Sequence, residues 1–193
     1  MIYHQPARTM AHRNPADRNK AVEWARSLIA NPADWLILDT ETTGLGLADE
    51  VIQIGILDPG GNPVLDSLLR PLNHKSIPAQ ATAVHGITIE MLAGAPTFPQ
   101  IAAALAQAVG GKRVIAYNAQ YDRRMFQQTA VLSGGRLPRW NWECAMIQYA
   151  CFVGEWDPRK NDYRYKPLPS GDHTALGDCR ATLNLIRKMA AAV

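Results

Sequence analysis

The sequence predicts an α/β domain in which a mixed sheet of five strands carries helices on its flanks. A continuous apolar run at residues 35–38 is typical of a strand that is covered on both faces. Two further strands, at Val51–Leu57 and 63–69, flank a turn rich in Asp, Pro, Gly and Asn, so we expect them to pair antiparallel. Beyond them helical and strand patterns alternate, which is typical of this class.

The other elements follow from caps and apolar spacing. Asn14 and Pro15 have the character of a cap and first turn, and the helix they begin should end near Ala30. The later patterns predict, in chain order, short helical pieces within 78–92, a helix at 98–109, a strand at 113–117, a helix at 120–132, a short strand near Trp140, a helix at 146–150 and a helix at 173–191. We therefore expect a tail and helix over residues 1–33 and the main domain over 34–193.

The composition is that of an ordinary globular chain. Of 193 residues 47% are hydrophobic and 19% charged, enough for one substantial core without disulfides. The formal charge of +3 permits a polyanionic partner without requiring one. Three widely spaced cysteines with no CxxC pair argue against a zinc ribbon and fit a reducing cytoplasm. No apolar stretch approaches the roughly 20 residues that span a bilayer, so we expect a soluble, cytoplasmic protein with no membrane contact.

Two acids stand where the apolar strand ends. Because strand side chains alternate between faces, Asp39 and Glu41 should project to the same side. Taken alone, such a pair is more often a turn cap and a solvated acid. Two further acids favour a shared site instead.

These two acids fall on the apolar faces of predicted helices. Asp122 has Met125 and Phe126 at helical spacing, and Asp178 has mainly alanine and leucine neighbours. A buried carboxylate without a partner costs several kcal/mol, so it must be protonated, paired with a cation or bound to metal. No lysine or arginine lies on the same face at the right spacing, which favours metal.

Four carboxylates without a thiolate cluster suit the hard cations Mg²⁺ and Mn²⁺ better than zinc. An oxygen-rich site of this kind is the arrangement of two-metal phosphoryl transfer. His173 lies five residues before Asp178 and could take a proton from the attacking water. A capping or surface role for His173 is the alternative, and the nearby buried acid favours catalysis.

Together these residues resemble the three exonuclease motifs of the DEDDh family, which includes the proofreading epsilon subunit of bacterial replicative polymerase and ribonuclease T. The segments that carry the resemblance are Asp39-Thr40-Glu41-Thr42-Thr43-Gly44, Asn118-Ala119-Gln120-Tyr121-Asp122 and His173-Thr174-Ala175-Leu176-Gly177-Asp178. The connecting segments Arg70-Pro71, Ile77-Pro78 and Val84-His85-Gly86-Ile87-Thr88 also look like that family. The likeness covers roughly four-fifths of the chain, and the combination is far more specific than any one motif.

The resemblance implies a ribonuclease H-like three-layer fold, with residues 34–193 as the exonuclease domain. It implies that Asp39, Glu41, Asp122 and Asp178 hold two Mg²⁺ or Mn²⁺ ions and that His173 is the general base. The residues it implies in contact with the terminal nucleotide are Thr42, Thr43, Leu45, Gln80, His85, Asn118 and Tyr121. Structural alternatives stay open for three of these: a hydrogen-bonded histidine, a turn asparagine and a core tyrosine.

Two segments depart from the family pattern or stand outside it. Many relatives carry an Asp-Thr pair after the second motif, where this chain has Trp142-Glu143-Cys144-Ala145-Met146, so any contact made by that pair is in doubt. Residues 156–166 interleave basic and aromatic side chains, which suits a single nucleic acid strand. A solvated loop with anchoring tyrosines explains that second segment equally well.

We therefore expect a metal-dependent 3′–5′ exonuclease that shortens single-stranded nucleic acid with a free 3′ end and releases nucleoside 5′-monophosphates. DNA is favoured over RNA, although no reader of the 2′-hydroxyl can be named. An RNA-trimming or oligoribonucleotide-degrading enzyme is one alternative. A non-catalytic nucleic-acid-binding or polymerase-accessory module is another, which the retention of buried acids disfavours. A polymerase or repair partner is conceivable, and the sequence leaves the oligomeric state open.

Overall fold

The computed structural model describes residues 14–136 and 138–193. Its main helices are α1 (Pro15–Ala30), α2 (Ala79–His85), α3 (Phe98–Val109), α4 (Ala119–Leu132), α5 (Ala145–Val153) and α6 (Ala175–Ala190). Its strands are β1 (Trp35–Thr42), β2 (Val51–Leu57), β3 (Pro63–Leu68), β4 (Arg113–Ala116), β5 (Asn141–Cys144), β6 (Trp156–Asp157) and β7 (Asp162–Tyr163). Short 3₁₀ helices lie at Pro32–Asp34 and Glu90–Leu92.

Five strands form one mixed sheet in the order β3-β2-β1-β4-β5. The first three strands pair antiparallel, and the β2–β3 turn is held by Asp58, whose carboxylate accepts the backbone N–H of Asn62 at 2.8 Å. β1, β4 and β5 run parallel to one another. The carboxyl ends of these three strands therefore meet at one edge of the sheet, which is where α/β proteins commonly bind ligands.

The central strand β1 separates two halves of the core. Trp35 and Ile37 pack with α1, α5 and α6 on one face of the sheet, whereas Leu36 and Leu38 pack with α3 and α4 on the other. All four side chains are almost completely buried, as the continuous apolar run predicted. The predicted three-layer α/β fold with a mixed five-stranded sheet is confirmed.

Several element boundaries differ from those predicted. α6 begins at Ala175 and not at His173, because the Thr174 hydroxyl caps the helix by accepting the Gly177 N–H at 3.1 Å. The strand predicted near Trp140 is β5, which starts one residue later, and α5 is longer than predicted at both ends. The stretch 152–169 also contains a small antiparallel hairpin, β6–β7, that no apolar alternation announced.

The predicted division at residues 33 and 34 stays a prediction, since residues 1–13 of the tail lie outside the described part. α1 itself packs into the main core, where Ala25 and Leu28 belong to the same cluster as Ile186 and Met189 of α6. Within residues 14–136 and 138–193, no helix has the length and apolar character needed to cross a bilayer.

Candidate active site

Three carboxylates converge at the end of the central strand. Asp39 and Glu41 project from the same face of β1, and Asp178 reaches them from the first turn of α6. One carboxylate oxygen from each of the three lies within 4.8 Å of the others. Two oxygens bound to the same Mg²⁺ would lie at most about 4.2 Å apart, since each Mg–O distance is about 2.1 Å. A small side-chain movement would therefore let this group hold a divalent ion.

Asp122 approaches the group from the opposite face of the sheet. Asp122 lies in the first turn of α4 and is only 3% exposed. It accepts a 2.8 Å hydrogen bond from the Thr40 hydroxyl. Thr40 lies between Asp39 and Glu41 and therefore points to the α4 side of β1. Asp122 thus lies beside the three clustered carboxylates, close enough that its charge raises the pKa of Asp39.

The electrostatics of the group favour a bound cation. Burial and then the charges of Asp122 and Asp178 hold the pKa of Asp39 well above its ordinary value. Burial, followed by the neighbouring carboxylates, raises the pKa of Glu41 to about 8. Burial likewise raises the pKa of Asp122 to about 7. Among the described residues no lysine, arginine or histidine forms an ion pair with these acids, so metal ions or protons must neutralise them.

The loop before α6 positions Asp178. The backbone N–H groups of Asp172 and His173 donate to Oδ1 of Asp178 at 2.9 and 3.2 Å. A Cβ atom at Gly171 would lie 2.9 Å from that same oxygen, so a side chain there would displace the Asp178 carboxylate. His173 is exposed and has a left-handed backbone with φ of 59°. The backbone of His173, the predicted base, therefore donates a hydrogen bond to a predicted metal ligand.

A cleft opens next to Glu41, with a volume of about 530 Å³. Six of the seven predicted nucleotide contacts line it: Thr42, Thr43, Leu45, Gln80, His85 and Tyr121. Leu45 is 78% exposed at its rim, and the hydroxyls of Thr42 and Tyr121 are hydrogen-bonded at 2.6 Å. Asn118 does not line the cleft: it precedes α4, and its carbonyl accepts the Tyr121 N–H at 2.8 Å, in keeping with the turn-forming alternative.

His85 brings an unsatisfied polar atom to the cleft. Its Nδ1 accepts the Ile87 N–H at 3.0 Å, which places the proton of the neutral ring on Nε2. Nε2 is buried and meets no described residue with good hydrogen-bond geometry, although the Thr42 backbone lies close to the ring. Burial lowers the pKa of His85 against the opposing effect of the nearby Thr42 backbone, and His173 lowers it further, so the ring is neutral at physiological pH. A neutral donor of this kind suits a polar ligand in the cleft.

Comparison with known proteins identifies the family of the chain. The exonuclease family (RNase_T) matches residues 36–186 of the chain. An exonuclease of Escherichia phage 186, CP81, which is itself uncharacterised, is 38% identical over 174 residues, covering 81% of this chain and 88% of the relative. The chain belongs to this exonuclease family.

Two solved structures share the fold of this exonuclease. Exonuclease X in complex with 5′-overhanging duplex DNA superposes with a TM-score of 0.52 at 25% identity, covering 82% of this chain and 94% of that one. The nuclease domain of 3′hExo, a DEDDh family member bound to rAMP, gives a TM-score of 0.59 at 17% identity, with 80% and 90% coverage. Together with the family match and the phage relative, these structures confirm the resemblance to DEDDh exonucleases and the predicted fold.

Sequence reasoning missed a network that supports the cleft of this exonuclease. Glu50 is 1% exposed, and its carboxylate accepts the N–H groups of Leu72 and Asn73 at 2.9 and 2.8 Å and contacts His74 Nδ1 at 2.9 Å. His74 Nε2 lies 3.4 Å from both Thr43 Oγ1 and Asp49 Oδ1. No periodicity links Glu50 to a histidine in an irregular segment, so only the fold reveals this support.

The basic and aromatic segment 156–166 is largely engaged within the exonuclease itself. Tyr163 is buried and donates to Asp17 at 3.0 Å, and its ring packs edge-on against Trp156. Lys166 pairs with Glu155 at 2.6 Å, and Arg164 lies 3.8 Å from an aspartate of the same hairpin. These contacts favour the alternative of a loop anchored by tyrosines over a surface that binds nucleic acid.

Proposed function

We propose that the protein is a 3′–5′ exonuclease that removes nucleoside 5′-monophosphates from the 3′ end of single-stranded DNA, using two divalent ions. The observation that carries this proposal is the convergence of Asp39, Glu41 and Asp178 within 4.8 Å, beside a cleft of about 530 Å³. Such a volume lies in the usual range for a small ligand, and here it corresponds to one terminal nucleotide.

The donor set fits Mg²⁺ or Mn²⁺, since every ligand on offer is a carboxylate oxygen. We assign Asp39, Glu41, Asp122 and Asp178 as the residues that hold the ions. When bound, the ions supply positive charge to the scissile phosphate. This charge would also offset the burial and the repulsion between carboxylates that raise the pKa of Glu41 and of Asp122.

The protein's own groups supply the remaining chemistry. We assign His173 as the general base that takes a proton from the attacking water. Because the backbone N–H of His173 donates to Asp178, the residue that carries the base lies beside a proposed metal ligand. The cleft walls at Thr42, Thr43 and Leu45 hold the terminal nucleotide, and Nε2 of His85 donates to one of its oxygens. The 3′ nucleotide leaves with its phosphate once the bond to the preceding sugar breaks.

DNA is our preferred substrate because the exonuclease X structure contains DNA. RNA is the second candidate, favoured by one observation: the 3′hExo nuclease domain was solved with a ribonucleotide, rAMP. A non-catalytic binding module is disfavoured because buried, mutually repelling acids destabilise a protein that does not use them. A polymerase or repair partner and a cytoplasmic location stay predictions.

The test is digestion of matched 5′-labelled DNA and RNA single strands with Mg²⁺ or Mn²⁺, beside a chelator control. We expect a ladder that shortens from the 3′ end, faster for DNA, and none with Asp39→Asn. The matched control is Asp34→Asn, which changes an exposed acid before β1 and should leave activity intact. Internal cuts, or full activity in Asp39→Asn, would refute the assignment. Tight binding without turnover in any metal would revive the non-catalytic alternative.

A further inference from the structure

A second groove runs beside the nucleotide cleft, along the outer face of α4. Its volume is about 590 Å³, and a smaller recess of about 130 Å³ shares three of its lining residues, Arg123, Gln127 and Trp142. Arg139 and Trp140 line the recess. The two recesses form one continuous surface, which we call the α4 groove.

The α4 groove is cationic. Arg123 and Arg139 are exposed, and neither has a carboxylate within 4.0 Å among the described residues. No aspartate or glutamate lines either recess. Glu143, which follows Trp142 in sequence, lies on the other face of β5, where it accepts from the Trp24 indole at 2.7 Å and pairs with Arg113 at 3.3 Å. The groove therefore suits an anion.

The α4 groove also presents aromatic rings that are fixed in place. Trp140 and Trp142 are partly exposed, with ring centroids 5.8 Å apart. Both rings pack against buried Phe126, at 5.6 and 6.1 Å. Neither indole N–H donates a hydrogen bond to any described residue. Rigid, half-exposed rings next to free arginines are the combination by which proteins bind single strands, stacking on bases and attracting phosphates.

The groove adjoins the nucleotide cleft through one pair of side chains. Arg124 lines the groove, donates to the Leu45 carbonyl at 3.3 Å and lies 5.4 Å above the ring of Tyr121, which lines the cleft. Cys144, at the carboxyl end of β5, lines the groove at the same sheet edge as Glu41, which lies near the carboxyl end of β1. A strand whose last nucleotide fills the cleft can thus continue into the groove.

We propose that the α4 groove binds the single strand upstream of the terminal nucleotide, with Arg123 and Arg139 on its phosphates and Trp140 and Trp142 against its bases. This assignment rests on the proposed function for the placement of the 3′ end. It gives a role to Trp142, which begins the segment where the sequence departs from the family pattern. It also places the binding surface away from residues 156–166, where Arg164 and Lys166 are paired with carboxylates.

The test compares Arg123→Gln/Arg139→Gln with the wild type on a dinucleotide and on a DNA strand of about a dozen nucleotides, which is within the site size of single-strand binders. We expect KM for the longer strand to rise about 3- to 10-fold, with kcat and dinucleotide cleavage unchanged. Affinity should also depend less steeply on salt. The slope of log affinity against log salt should become less negative by about 1.4, because two phosphate contacts are lost and each contributes about 0.7 on a single strand. Arg159→Gln, an exposed arginine in the β6–β7 turn, is the matched control.

A second readout separates this inference from the proposed function. Fluorescence anisotropy of the labelled strand, measured in the Asp39→Asn background, reports binding without cleavage. If no exonuclease activity is found but the double variant still weakens strand binding, the proposed function fails and the groove stands. Unchanged binding in the double variant, an equal loss in Arg159→Gln, or a loss confined to duplex DNA would each overturn the inference.

Discussion

The hydroxyl of Thr40 donates a 2.8 Å hydrogen bond to the carboxylate of Asp122, across the boundary between β1 and α4. This bond lowers the pKa of Asp122 against the stronger, opposing effect of burial. Thr40 thus helps to keep a proposed metal ligand ionised, although it contacts neither metal nor substrate in our assignment. The threonine between the two acids of the first motif therefore serves to stabilise the ionised form of Asp122.

Replacing Thr40 by valine should weaken metal binding without unfolding the protein. The pKa of Asp122 would rise, and each unit of rise lowers metal affinity about tenfold at pH values below that pKa. We expect a roughly tenfold higher Mg²⁺ requirement in cleavage assays at neutral pH and recovery at higher pH. Thr40→Ser, which keeps the hydroxyl, should behave like the wild type. An unchanged Mg²⁺ requirement in Thr40→Val would contradict this role.

Metal-free protein should lose stability as the pH rises. Glu41 has a pKa of about 8 in the fold, against about 4.3 for a free glutamate, so between these values the folded state holds more protons than the unfolded state. The free energy of unfolding therefore falls as the pH rises through that window. In a chelator, we expect Tm to drop by several degrees between about pH 6 and pH 8.5. Mg²⁺ should restore much of it.

Glu41→Gln is the companion variant for this pH dependence. It removes the carboxyl group whose pKa is raised to about 8, so it should flatten the decline of Tm and raise the metal-free Tm near pH 8, while abolishing cleavage. A Tm that stays level or climbs from pH 6 to 8.5 in the wild type would show that the cluster is not proton-linked.

Gly55 should tolerate no side chain. A Cβ atom there would lie 2.6 Å from the carbonyl carbon of Ala175 and 2.7 Å from the nitrogen of Leu176, both in the first turn of α6. Because backbone must move to make room, Gly55→Ala should destabilise the fold by about 1–3 kcal/mol and displace Asp178. Thermal melts and cleavage assays measure the two effects. Gly94→Ala, where a Cβ meets nothing within 4 Å, is the control and should be nearly neutral.

His74 should act on substrate binding more than on turnover. It joins buried Glu50 to Thr43 and Asp49, which line the nucleotide cleft, so its loss should loosen that wall. We expect His74→Ala to raise KM about fivefold with kcat nearly constant, the pattern of weakened ground-state binding. His74→Asn, which retains a donor for Glu50, should recover part of the loss. A fall in kcat at constant KM would instead place His74 in the chemistry.

The part of the site that follows from periodicity was predictable. Spacing by two residues on a strand placed Asp39 and Glu41 on one face, and helical spacing showed that Asp122 is buried. The pairing of Lys166 with Glu155 was not predictable, because residues 156–166 show no regular pattern that reveals a hairpin. The left-handed backbone of His173 was also missed, since nothing in its residue type requires a positive φ.

The acids of the site reach it from opposite sides of the sheet, and this has a consequence for when the protein can act. Asp122 belongs to one half of the core and Asp178 to the other, so the cluster is complete only after both halves have packed. A molecule whose α6 has come loose keeps Asp39, Glu41 and Asp122 in place but lacks the fourth proposed ligand. With the proposed ligand set, we therefore expect nuclease activity only from molecules in which α6 has docked on the sheet.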